Sequence, residues 1–83
     1  FVGQWDKLVT AILKKDKNLR FDDLCKALER IGYHREQPRS GSSHYVFRKK
    51  GCFSITIPKQ QPMNRAYIEL VSDAVRAFLQ ESE

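Results

Sequence analysis

The stretch Phe21-Asp22-Asp23-Leu24-Cys25-Lys26-Ala27-Leu28-Glu29-Arg30-Ile31-Gly32-Tyr33 decides the fold. Phe21, Leu24, Leu28 and Ile31 stand 3, 4 and 3 residues apart, the spacing that lines one face of an α-helix. Asp22 and Asp23 fall in its first turn, where negative charge meets the positive end of the helix dipole. Gly32 stands where a left-handed residue closes a helix. Beyond it the hydrophobic period drops from 3.6 to 2, so the helix gives way to strands.

Downstream, Tyr33 to Gln37 reads as a short polar strand and Pro38-Arg39-Ser40-Gly41-Ser42 as a turn. Ser43 to Lys49 is expected to form a second strand, followed by a turn at Lys50-Gly51. A third strand is expected from Cys52 to Ile57, with Phe53, Ile55 and Ile57 on one face and Pro58 ending it. Lys59-Gln60-Gln61-Pro62-Met63 links to Asn64, a helix N-cap, and a last helix carries Ile68, Val71, Val75 and Phe78 inward. Upstream, Trp5, Leu8, Val9, Ile12 and Leu13 have helical spacing and end in the basic connection Lys14-Lys15-Asp16-Lys17-Asn18. The expected fold is a two-layer α+β domain, α-β-β-β-α with an extra N-terminal helix. That is the element order of double-stranded-RNA-binding domains. Residues 1–19 form the extra helix and its basic connection, and residues 20–83 the main body, in one compact domain overall. Trp5, Phe21, Phe53 and Phe78 are expected in the core.

A chain of 83 residues supports one small core and no second one. Apolar content of 41% and charge of 30% suit a folded domain without a large stability reserve. No apolar run approaches the roughly 20 residues needed to span a bilayer. No signal peptide is expected, because Asp6 and Lys7 interrupt the apolar start, and a chain beginning at Phe1 is expected to be a fragment or a trimmed form. Cys25 and Cys52 form no close pair. They read as reduced, buried hydrophobes of a cytoplasmic protein, with a disulfide between them as the lesser alternative.

The +5 net charge is unevenly placed. Residues 1–33 carry +2 and residues 66–83 carry −3. The segment between them carries +6: Arg35, Arg39, Arg48, Lys49, Lys50, Lys59 and Arg65 against Glu36 alone. Within this segment His44 opens a strand directly after the small-residue turn Gly41-Ser42-Ser43. An imidazole exchanges protons near neutral pH, and a cationic patch holds polyanions. Cleavage of RNA needs a deprotonated 2′-hydroxyl, a stabilised phosphate and a protonated leaving 5′-oxygen. A histidine acting as base or acid contributes about 10²- to 10⁴-fold to such a step. Arginine and lysine stabilise the phosphate charge, and the backbone N–H groups of Gly41, Ser42 and Ser43 add donors if the turn points them outward. One acid in the segment is too few for a two-metal site, so neither metal nor other cofactor is expected.

Four stretches resemble the HicA toxins of bacterial toxin–antitoxin pairs: Phe21-Asp22-Asp23-Leu24-Cys25 through Gly32-Tyr33, Gly41-Ser42-Ser43-His44-Tyr45-Val46-Phe47, Ile55-Thr56-Ile57-Pro58, and the closing amphipathic helix. Together they span about residues 20 to 80. The resemblance implies a small mRNA-cleaving endoribonuclease on a double-stranded-RNA-binding-domain-like fold, with His44 at the catalytic position. It also implies a HicB-type antitoxin partner that shields the site, and translation arrest in the bacterial cytoplasm. Two departures stand out. Lys59-Gln60 replaces the basic residue and histidine that often follow Ile-Pro in the family, and the helix before residue 20 lies outside the minimal family domain.

The remaining assignments follow from alternation and charge. If Tyr45 and Phe47 face the helices, then His44, Val46 and Arg48 share the open face. If Val46 is core instead, His44 turns inward. Arg35 and Arg39 flank the turn and are expected on phosphate. Arg48, Lys49 and Lys50 either contact RNA or guard an edge strand against aggregation, and Lys59 and Arg65 precede a helix N-terminus that attracts phosphate. Lys14, Lys15 and Lys17 read as a solubilising connection, and Tyr45 as buried rather than stacked on a base. With a four-residue turn, His34 faces Phe47, about 10 Å along the strand from the position facing His44, too far to share one phosphate. Two other functions use the same surface: a non-catalytic RNA-binding module, and a protein-interaction domain that meets an acidic partner.

Overall fold

The computed structural model describes residues 3–36 and 43–81. Its elements are α1 (Gln4–Leu13), α2 (Phe21–Arg30), β1 (His34–Glu36), β2 (His44–Arg48), β3 (Ile55–Pro58) and α3 (Arg65–Glu81). The strands form one antiparallel sheet in the order β1-β2-β3. This is a small α+β architecture whose last five elements run α-β-β-β-α.

Both ends of α2 and the start of α3 have local causes. At α2 the Arg20 N–H donates to Asp23 Oδ2 at 3.0 Å, so one of the two first-turn acids satisfies an orphan donor. At its other end Gly32 adopts φ +108°, and the Tyr33 N–H reaches back to the Leu28 carbonyl at 2.9 Å. Asn64 caps α3, its Oδ1 accepting the Ala66 N–H at 2.8 Å.

Phe47, Ile55 and Ile57 point from the sheet into a core shared with Leu24, Leu28, Ile68, Val71 and Val75. The extra helix α1 belongs to this core, since Ile12 is fully buried and Trp5, Leu8 and Val9 pack against the cluster. Trp5 and Phe78 are half-buried at its margin, and Phe21 is buried. Among the described residues no helix is long and apolar enough to cross a membrane.

The third strand departs from expectation. It runs from Ile55 to Pro58 rather than from Cys52 to Ile57, and Phe53 is 95% exposed instead of buried. Pairing with β2 begins at Phe47↔Ile55, so residues 52–54 lie in the connection beyond the ladder. There Gly51 takes φ +82° and the Cys52 N–H bonds the Lys49 carbonyl at 3.0 Å. The alternation of Phe53 with Ile55 therefore has no strand to act on. Pro58 sits inside the ladder opposite His44, which an edge strand tolerates because one side of it needs no N–H donor.

The same shift separates the two cysteines. Both are free thiols, but Cys25 is buried and Cys52 exposed, contrary to the reading of both as core. Burial pushes the Cys25 thiol up to about 11. Alkylation of the native protein at about pH 8 is expected to modify Cys52 alone, with Cys25 reacting only in denaturant. Intact-mass measurement before and after unfolding distinguishes this from equal labelling, which would contradict the buried placement.

Candidate nucleic-acid interface

Alternation along β2 sorts its side chains onto two faces. Phe47 is buried and Tyr45 half-buried, with the Tyr45 ring 5.0 Å from that of Phe21 at the start of α2. His44 and Arg48 are exposed on the opposite face, and Val46 is half-buried between them. Their cross-strand neighbours are Pro58, which is buried, opposite His44, the exposed Thr56 and Glu36 opposite Val46, and the exposed His34 opposite Arg48. His44 is thus exposed on the helix-free side of the sheet, at the end of β2 where the chain leaves β3.

The β1–β2 register differs by one residue from that expected. His34 faces Arg48 rather than Phe47, which puts both imidazoles on the outer face. They lie four strand positions apart, about 13 Å. The shift follows from the length of the connection between the strands, which alternation alone does not set.

Among the described residues, the expected cations do not form one patch. Arg48 pairs with Glu36 across the outer face. Lys49 turns to the helix side, its ammonium 5.0 Å from the Phe78 ring centre and 5.8 Å from that of Tyr33. Lys50 is exposed in the following turn. Lys49 and Lys50 therefore stand about 17–20 Å along the chain from His44, at the far end of β2. Arg35 lies opposite Phe47 and also turns toward the helices, with Nε 3.8 Å from Glu29 Oε2 and its guanidinium 6.0 Å from the Tyr45 ring. Arg65 sits 3.7 Å from Glu69 one turn on. Arg39, Gly41 and Ser42 lie outside the described residues, so the turn donors expected of Gly41 and Ser42 do too.

Among the described residues, Lys59 is the expected cation whose backbone lies at the His44 end of β2. Its N–H donates to the Ser43 carbonyl at 2.8 Å, extending the β2–β3 pairing by one step past His44↔Pro58. Lys59, Gln60 and Gln61 line a cavity of about 310 Å³ together with Arg20, Phe21 and Asp22. A second cavity of about 330 Å³ shares Arg20 and Gln61 and continues to Lys17. Arg20 and Lys17 were not expected at the site. Both sit in polar connections where a cation reads as solvated, and residue 20 meets residue 59 only through the tertiary fold. Among the described residues, no cluster of three or more His, Cys, Asp and Glu side chains is gathered.

These elements define the class: a small α+β domain whose three-stranded antiparallel meander carries an exposed imidazole on its outer face, with a lysine one ladder step on. Compared with known proteins, the chain matches no protein-family model, no curated protein and no solved structure.

Proposed function

We propose that the protein is an endoribonuclease of the HicA toxin type, on a double-stranded-RNA-binding-domain-like fold, that cleaves mRNA without a metal and arrests translation in the bacterial cytoplasm. The carrying observation is the exposed His44 at the start of β2, one ladder step from Lys59. The resemblance of four sequence stretches to that family supports the same reading, and with it a HicB-type antitoxin as the protein partner.

In this mechanism His44 acts as general base or general acid. The 2′-oxygen, losing its proton, forms a bond to the adjacent phosphorus. The bond from phosphorus to the 5′-oxygen breaks, and that oxygen takes up a proton. The products are a 2′,3′-cyclic phosphate and a 5′-hydroxyl. Lys59 supplies positive charge for the phosphate from the same end of the strand. A second reading, a non-catalytic RNA-binding module, draws support from the engagement of Arg48 by Glu36 and of Lys49 by two rings, which leaves fewer cations for the transition state.

The reaction chemistry provides the test. An RNA oligonucleotide incubated with the protein in chelator is expected to yield fragments ending in 2′,3′-cyclic phosphate, and 2′-deoxy substitution at the cut position is expected to abolish that cut. Loss of activity in chelator, or cleavage of the deoxy-substituted position, would contradict the mechanism. Binding without cleavage would favour the second reading.

A further inference from the structure

We propose that the trough between the start of α2 and the connection from β3 to α3 holds the phosphodiester backbone of the RNA strand running away from the cut site. This rests on the ribonuclease reading and adds to it a path for the substrate.

Three observations carry the path. First, the two cavities share Arg20 and Gln61 in their walls, so they lie side by side along one stretch of surface. Second, Lys17, Arg20 and Lys59 line the trough against one acid, Asp22. Among the described residues, the ion pairs engage Lys15, Arg35, Arg48 and Arg65 but none of these three. Their charge is therefore directed at solvent and at whatever enters the trough. Third, the trough opens at the same end of the sheet as the reacting group, on the helix side of that end. Lys59 lines its near end and is hydrogen-bonded through its backbone to Ser43, the residue before His44.

The neutral lining suits the same ligand. Gln60 accepts the Asn64 N–H at 3.2 Å through Oε1, so its amide N–H groups remain as donors. A row of cations and amide donors tracks a sugar–phosphate chain rather than a single base, which predicts weak sequence preference. The path also differs from the one charge counting suggests, since the cluster Arg48-Lys49-Lys50 lies at the opposite end of β2.

The test is RNA binding by the full chain carrying His44→Ala, which prevents cleavage during the measurement, with and without Lys17→Gln plus Arg20→Gln. A matched-charge control carries Lys7→Gln and Arg76→Gln, exposed positions that do not line the trough. Removing two backbone contacts is expected to weaken single-stranded RNA binding about tenfold or more at about 50 mM salt, and to flatten the log–log salt slope by about 1.4. The control pair is expected to change affinity less than threefold. Thermal melts verify that all three proteins fold. Unchanged affinity and slope in the trough variant, or equal losses in both variants, would overturn the trough as the substrate path while leaving the ribonuclease reading standing. Failure of the parent protein to bind RNA would overturn the reading on which it rests.

Discussion

Replacing His44 by alanine is expected to lower RNA cleavage about 10²- to 10⁴-fold, the usual contribution of one positioned general acid or base. RNA affinity is expected to stay within a few-fold, because the cations that hold the backbone lie on other residues. Stability is also expected to hold, within about 0.5 kcal/mol, since His44 is exposed at a strand end and contributes nothing to the buried cluster. The combination of lost turnover with retained binding and fold is what separates a catalytic histidine from a surface one. In the parent protein, the cleavage rate is expected to vary with pH between about 5 and 8, the range in which imidazole groups change charge. A flat profile over that range would remove the histidine from the proton transfers.

The largest expected effect on stability comes from Phe47. Its ring is fully buried on the central strand β2, between Arg35 on β1 and Ile55 on β3, and it forms part of the cluster with Leu24, Leu28 and Val71. Truncation to alanine removes transfer free energy and leaves a cavity, together about 3–5 kcal/mol. Domains of this size have a total stability of about 5–15 kcal/mol, so the variant is expected to be close to unfolded. Its melting temperature should fall on the order of 15–30 °C. Phe53, six positions further on, is the matched contrast. It is 95% exposed, and Phe53→Ala is expected to shift stability by no more than about 0.5 kcal/mol. Parallel melts of the two variants check the placement of β3, because a strand starting at Cys52 would make Phe53 the costly residue as well.

That contrast marks where the amino-acid sequence stops being legible. The helices were readable because their signals are local: a 3-4-3 spacing, two first-turn acids, a glycine at the helix end and an asparagine before α3 all act within a few residues. Alternation along β2 sorted Tyr45 and Phe47 from His44, Val46 and Arg48 but left open which set faces the helices, and the burial of Phe47 decides it. The limits of β3 and the β1 register were not legible, because pairing partners and connection geometry fix them.

The site divides in the same way. His44 stands out in the sequence as an imidazole in a basic segment. Which cations accompany it depends on partners far along the chain: Glu36 draws in Arg48, the rings of Tyr33 and Phe78 hold Lys49, and Glu29 sits beside Arg35. The basic segment is therefore less concentrated in space than in sequence. Arg20, from a stretch that reads as an ordinary helix approach, ends up lining a cavity together with Lys59 instead.

The most direct measurement is a side-by-side time course of labelled RNA with parent protein and His44→Ala in chelator, paired with binding of the same RNA to both. The account predicts cleavage by the parent, little or none by the variant, and comparable binding by the two. Equal cleavage by both proteins, or binding without cleavage by the parent, would contradict it.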